Sequence, residues 1–370
     1  MISAMTPLGR RLAAEIAATG PISVARYMAV CLGDPQHGYY TTRDPFGPLG
    51  DFVTAPEISQ MFGELIGLWC AEVWLRMGSP ATVRLVELGP GRGALMADAL
   101  RAARALPPFR AALDVHLVET SPLLTKAQQA SLAQAAVSVV WHTSLDSVPD
   151  GPAIIIANEF FDALPVRHYV RTREGWRQRF VGLNPRGELA FGLAPDIETL
   201  ITAEAPEGSV LELSPTSQLM MTQMARRIAQ GRSAALVIDY GHVETGFGET
   251  LQALKQHRRV DPLTDPGEAD LTAHVDFAAL ARAAASAGAQ PMGPVTQGEF
   301  LMRLGIAQRA EALKRKATDD QARDIDLALA RLATERVGEA PGMGRLFKAL
   351  AVGPQGAPML PGFVREGSQP

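Results

Sequence analysis

The sequence predicts an α/β fold: a doubly wound parallel sheet with helices on both faces, a helical N-terminal addition and an antiparallel insertion after the fourth strand. Three observations carry this reading. From Thr82 onward, short apolar runs alternate with helix-like segments, as buried parallel strands and their crossovers do. The first run, 83–88, passes through Glu87 into a turn with three glycines, Gly89-Pro90-Gly91-Arg92-Gly93, and then into a helix-like stretch, 94–105. After the fourth run the pattern changes to alternation at 168–181, 189–193 and 210–213, with turns at Gly175 and Pro185-Arg186-Gly187.

Each element follows from local pattern. Leu8, Leu12 and Ile16, then Val24, Met28 and Leu32, recur at helical spacing, and Pro21 and Ser23 open the second helix. Residues 33–56 mix Gly and Pro with Tyr39, Tyr40, Phe46 and Phe52, which reads as a long loop with aromatic anchors. The stretch 59–77 is apolar nearly all round, so it reads as a buried helix. Strands are expected at 83–88, 115–119, 137–141, 153–158 and 234–239, and a helix at 215–230 precedes the fifth. Helices at 276–287, 297–316 and 324–336 and a last strand at 346–352 complete the pattern. The expected organisation is a helical region and loop at 1–80, a core at 81–352 with its insertion at about 166–232, and a tail at 353–370.

Composition narrows the partners. The 370 residues are 47% hydrophobic and 20% charged, enough to bury a large core. A net charge of −4 gives no broad field for nucleic acid, so none is expected as partner. Cys31 and Cys70 lie in apolar helical contexts, which fits a reducing compartment without a disulfide framework. No apolar run approaches the roughly 20 residues of a membrane span. Arg10 and Arg11 precede no hydrophobic signal core, and Glu15 disfavours a transit peptide, so a soluble intracellular protein is expected. Seven histidines and two cysteines show no metal-ligand spacing, and no metal is expected.

The glycine turn must hold a ligand that the backbone approaches closely. Gly89 to Ala94 also fits a dinucleotide pattern, G-x-G-x-x-A. Two acids argue for a different ligand. Glu87, two positions before Gly89, would repel a pyrophosphate but suits an ammonium. Glu119 ends the next strand, where a carboxylate takes ribose hydroxyls, and it lies about 30 residues beyond Gly89 rather than the roughly 20 of the dinucleotide fold. No Gly-Lys-Ser/Thr follows, so this is not a P-loop. A ribose, an ammonium and no phosphate describe S-adenosylmethionine. Its expected contacts are Glu87, Gly89, Pro90, Gly91, Gly93, Glu119 and Ser121, with Leu145 and Asp146, after the third strand, against the adenine.

Further clusters carry carboxylates. Asp51 and Glu57 flank a segment, 50–59, that reads either as a ligand-facing loop or as a helix start capped by Ser59 or by a Thr54/Glu57 capping box. Asn158, Glu159 and Asp162 follow the fourth strand at the sheet edge where such folds bind ligands, although Asp162 also reads as a helix cap. Asp239 and Tyr240 end the fifth strand at the same edge, as substrate contacts or as a plain strand end. His274 reads as a general base or as a locally satisfied histidine, and Asp276 as a helix cap.

Taken together, Gly50-Asp51-Phe52-x-Thr54-x-Pro56-Glu57-x-Ser59, Glu87-Leu88-Gly89-Pro90-Gly91-x-Gly93, Glu119-x-Ser121-Pro122, Asn158-Glu159-x-x-Asp162-Ala163-Leu164-Pro165, Asp239-Tyr240-Gly241 and Asp270-Leu271-Thr272-Ala273-His274-Val275-Asp276-Phe277 resemble the MidA family of bacterial and mitochondrial methyltransferase-like proteins. The resemblance implies a class I methyltransferase (Rossmann-like) core of seven strands, an N-terminal helical addition, S-adenosyl-L-methionine as cofactor and methylation of arginine on a protein, such as a core subunit of respiratory complex I. It places a bacterial member in the cytoplasm and a eukaryotic one in the mitochondrial matrix. Within that frame Glu159 and Asp162, with Asn158, are the expected guanidinium-holding residues, and Asp51 and Glu57 a second arm. Other readings are a non-catalytic assembly factor that binds the cofactor or a partner, and a methyltransferase acting on RNA or a small molecule. Oligomeric state is not encoded in these motifs.

Overall fold

The structure, a computed structural model, describes residues 5–43 and 53–363. Its contacts group the chain into two compact units, one of residues 53–161, 219–244 and 275–370, the other of 1–52, 162–218 and 245–274. Residues 5–43 thus group with 162–218 and 245–274.

The larger unit holds a mostly parallel, mixed sheet. Its strands are β1 (Val83–Leu88), β2 (Leu113–Val118), β3 (Val139–His142), β4 (Ala153–Asn158), β5 (Ser233–His242), β6 (Ala289–Thr296) and β7 (Phe347–Pro354). They run in the order β6-β7-β5-β4-β1-β2-β3, and a two-residue strand, Val275–Asp276, pairs beside β5 as an eighth. β7 is antiparallel to both its neighbours; the other pairs on this path are parallel. Leu88 pairs with Ala157 and Asn158 with Ile238, so β1, β4 and β5 bring their carboxyl ends to one edge. Central strands are buried on both faces, which is why β4 reads Ala-Ile-Ile-Ile-Ala-Asn without alternation.

The helix Gln60–Arg76 is buried nearly all round, as its composition requires. Gly63 and Gly67 lie four residues apart on it and let the helix Ala94–Ala102 approach. A Cβ on Gly67 would lie 2.6 Å from Ala99 Cα, and one on Gly63 2.6 Å from Asp98 Cβ. The same helix buries Glu64, which pairs with Arg101 at 3.1 Å and with Arg309 at 2.8 Å. Three helices are thereby pinned by one carboxylate.

Several expectations are corrected. The helix expected at 297–316 is two helices, Gln297–Arg303 and Ile306–Lys314, because Gly305 takes φ +92° between them. The helix expected at 324–336 starts at Asp319, after a capping box of Thr318 and Gln321, and ends at Ala333. β6 was not legible: Ala-Gln-Pro-Met-Gly-Pro-Val-Thr carries two prolines and a glycine, a turn composition. It is tolerated because β6 is an edge strand, paired among the described residues with β7 alone, with a register shift between Met292 and Val295.

The smaller unit is antiparallel, as its alternation requires. Trp176–Leu183 pairs with Ile22–Ser23, Arg167–Arg171 and Leu189–Leu193, and Val210–Leu213 pairs with Arg167–Arg171. Helices Pro7–Thr19 and Val24–Gly33 bury Leu8, Leu12, Tyr27 and Met28 in one core with Val181 and Leu271. A three-stranded sheet, Gln252–Lys255, Arg258–Val260 and Asp270–Thr272, belongs to the same unit. Cys31 and Cys70 are free and buried, one in each unit. No helix among the described residues is long and apolar enough to cross a membrane.

Candidate functional site

The site grows from the end of β1. The Gly89 amide donates to the Val118 carbonyl at 3.0 Å, so the chain leaves the sheet between β1 and β2. Gly89, Gly91 and Gly93 take φ of +61°, +54° and +82°, a left-handed path that glycine follows without penalty. The Gly93 amide closes the turn on the Pro90 carbonyl at 2.8 Å. A Cβ on Gly89 would lie 2.8 Å from the Phe160 ring, so the glycine also makes room for that side chain. The helix Ala94–Ala102 follows with Gly93 at its N-cap and no side-chain cap. Its first amides are therefore left for another acceptor.

Glu87 precedes this turn and is 3% exposed. Its Oε2 is buried without a hydrogen-bond partner among the described residues. Burial pushes its carboxyl up to about 8. Asn158, ending β4, also carries a buried acceptor without a partner, Oδ1, while its Nδ2 donates to Glu159 Oε1 at 3.2 Å. A cationic donor such as an ammonium is what two such acceptors lack.

Glu119, just past β2, is not a solvated strand end. Its Oε1 accepts from the Thr120 and Ser121 amides at 2.8 and 2.7 Å, and its Oε2 from Gln128 at 3.0 Å. Burial leaves its pKa raised, the Ser121, Gln128 and Thr120 donors offsetting only part of that effect. Three of roughly four acceptor positions are thus occupied, and about one remains for a ligand hydroxyl. Ser121 caps the helix Pro122–Leu132 through the Leu124 amide. Leu145 is buried in the turn after β3, where its carbonyl accepts from Arg227, and Asp146 is exposed and accepts from Gln223 at 3.3 Å.

The end of β4 is held from three directions. Glu159 takes φ +49°, the left-handed region that a non-glycine residue rarely adopts. Its amide donates to the Ile238 carbonyl at 2.9 Å, and its Oε1 accepts from the Ala55 amide at 2.8 Å. Asp239, fully buried, accepts from the Phe160 and Phe161 amides at 3.1 and 2.9 Å. The strand end expected to contact substrate or simply to close β5 thus anchors the backbone of the loop after β4. Glu57 lies 3.8 Å from Arg92 of the glycine turn, an ion pair within the same unit.

The larger unit therefore brings together Glu57, Glu87, Gly89, Pro90, Gly91, Gly93, Glu119, Ser121, Asn158 and Glu159 around the carboxyl ends of its strands. Asp162 belongs to the smaller unit, where its carbonyl accepts from the Ala273 amide and its charge, with that of Asp270, raises the pKa of Tyr40, after burial as the larger cause. No helix follows Asp162, so it caps none. Asp51 lies outside the described residues. Ser59 caps its helix through Met61, Thr54 makes no side-chain cap bond, and Asp276 caps through Ala279 at 2.8 Å. The His274 amide donates to Thr250 Oγ1. Among the described residues no cluster of His, Cys, Asp or Glu suits a metal ion.

One participant escaped sequence reading. Gln128 lies between Leu124 and Leu132 at four-residue spacing, on the buried stripe of its helix. A polar residue in an apolar stripe was the available signal.

Comparison with known proteins shows the family. Residues 65–295 match a family model described as S-adenosyl-L-methionine-dependent methyltransferase. The chain is 39% identical over 346 residues to the mouse protein named protein arginine methyltransferase NDUFAF7, mitochondrial, covering 86% of this chain and 79% of that one. It is 38% identical to the corresponding Drosophila melanogaster homolog, covering 94% and 85%. A crystal structure of a superfamily member from Burkholderia thailandensis bound to S-adenosyl-homocysteine superposes with a TM-score of 0.84 at 31% identity, covering 96% of this chain and 93% of that one.

Proposed function

As the chain belongs to this family of S-adenosyl-L-methionine-dependent methyltransferases, we propose that it transfers the cofactor's methyl group to an arginine side chain of a protein. The observation that carries the reading is Glu159, a carboxylate fixed in a left-handed conformation at the sheet edge where such folds bind ligands. The names of the mouse and Drosophila relatives support the same chemistry.

The sulfonium supplies an already activated methyl group, so the protein's work is positioning. Glu87 and Asn158 Oδ1 would take the ammonium, the glycine turn the amino-acid backbone, Glu119 the ribose, and the turn at Leu145 and Asp146 the adenine. The unpartnered acceptors and the glycines that bear no Cβ fit such a group. Arginine stays protonated in water. Glu159 holds the guanidinium by a charge-assisted hydrogen bond and draws its positive charge to one side. The nitrogen on the other side gains lone-pair character, so an N–C bond would form as the carbon–sulfur bond breaks, with S-adenosylhomocysteine as the leaving group and the nitrogen's extra proton passing to solvent. Asn158 donates to this carboxylate, and Glu57 serves as a second arm on the substrate. Asp51 and Asp162 keep their assignment as substrate-holding residues on sequence grounds.

We assign the seven-strand path to a class I methyltransferase core and 166–232 to its insertion. The substrate we propose to test first is a core subunit of respiratory complex I, with the bacterial cytoplasm or the mitochondrial matrix as compartment. In the test, the protein is incubated with methyl-labelled S-adenosylmethionine and that subunit, and the label is mapped by mass spectrometry. Label on arginine is the expected result. Label on RNA or a small molecule overturns the protein substrate, and cofactor binding without any transfer favours a non-catalytic assembly factor.

A further inference from the structure

Gln128 is fully buried, and its amide is used at both ends. Nε2 donates to the Gly91 carbonyl at 2.8 Å and to Glu119 Oε2 at 3.0 Å, while Oε1 accepts from the Trp141 indole at 2.9 Å. A buried amide carries a desolvation penalty unless its hydrogen bonds are met, and here three are. One side chain thus ties the middle of the glycine turn to the carboxylate that ends the next strand, with β3 as its brace. Gly93 packs against the same residue: a Cβ there would lie 3.5 Å from Gln128 Cα.

We infer that Gln128 is a positioning residue of the cofactor site, holding the Gly91 carbonyl and the Glu119 carboxylate at a fixed separation so that the amino-acid end and the ribose of one ligand are held together. The inference rests on the cofactor reading above. Gln128 acts through Glu119 and Gly91 and need not touch the ligand. Without its donor, Glu119 keeps, among the described residues, the local amides of Thr120 and Ser121, both on one oxygen, and the whole carboxylate is held less firmly.

The test compares binding of S-adenosylhomocysteine and its 2′-deoxy analogue by calorimetry, in the intact chain and in Gln128→Met, which keeps length and shape but makes no such bonds. The wild type is expected to bind the ribose form more tightly. Gln128→Met is expected to weaken S-adenosylhomocysteine roughly tenfold or more, the loss of one bond to a charged group, and to shrink the preference for the 2′-hydroxyl. Glu119→Gln should shrink the same preference, and the double variant should lose little more than the weaker-binding single variant. A purely structural role would lower thermal stability and leave the ratio between the two ligands unchanged. Gln128→Met with wild-type affinity and an unchanged ratio overturns the inference. If Gln128→Met does not fold, Gln128→Glu, which keeps the acceptor for Trp141 and removes both donors, must show the same reduced ratio, and an unchanged ratio there overturns it equally. Failure of the wild type to bind either ligand would instead contradict the cofactor reading.

Discussion

Glu87 and Asp239 are both buried acids on the parallel sheet, and they are stabilised in opposite ways. Asp239 accepts from two amides of the loop that follows β4 and from the amide of its neighbour Tyr240. Asp239→Asn turns an acceptor into a donor facing other donors, and is expected to cost about 1–3 kcal/mol in denaturant unfolding. Methyl transfer should fall further than S-adenosylhomocysteine affinity, because the loop carrying Glu159 loosens. Glu87 has an oxygen without such partners, and its folded pKa of about 8 lies above the ordinary carboxylate value. The native chain therefore binds that proton more tightly than the unfolded chain. Its contribution to stability is full below about pH 4.5 and is lost as pH rises through about 8. A cationic ligand reverses the preference: binding near pH 7 should release close to one proton, and affinity should rise with pH until about 8. Calorimetry in buffers of different ionisation heat measures both. Glu87→Gln is expected to abolish the proton release, weaken binding roughly tenfold or more and make the ligand-free protein more stable at pH 8.

At the scale of elements, the glycine turn and the helix it feeds were legible because spacing alone dictates them. Gly89 has two constraints, a φ of +61° and the Phe160 ring 2.8 Å from where a Cβ would sit. Gly89→Ala is expected to cost about 1–2 kcal/mol from the backbone alone and to weaken cofactor binding. Adding Phe160→Leu should recover part of the steric loss and none of the backbone cost, which thermal unfolding of the three variants separates. Glu64 is a second element-scale feature, joining three helices through Arg101 and Arg309. Breaking a buried pair costs about 3–5 kcal/mol, and partial exposure of both arginines lowers this, so Glu64→Ala is expected to cost about 1–3 kcal/mol in chemical denaturation. What escaped reading at this scale had a physical reason. β6 contains two prolines that only an edge strand tolerates. The three short strands between Gln252 and Thr272 gain their order from pairing with one another, which no local periodicity reveals.

At the scale of the molecule, the α/β class followed from hydrophobic patterning, because a buried parallel sheet and a half-buried antiparallel one impose different periods. The grouping of residues 1–52 with 162–218 and 245–274 was not legible, since it rests on contacts between segments far apart in sequence. The same limit applies to the site. Glu87, Glu119 and Glu159 were found as acids at strand ends. The services of Gln128 and Asp239 depend on partners brought near only by folding. The measurement that bears most directly on the account follows methyl transfer to arginine of the protein substrate in wild type and Glu159→Gln, with S-adenosylhomocysteine affinity determined alongside. The account predicts labelled arginine with the wild type, and a rate at least about a hundredfold lower in the variant with affinity within about threefold of wild type. Undiminished transfer by Glu159→Gln at unchanged affinity would contradict it.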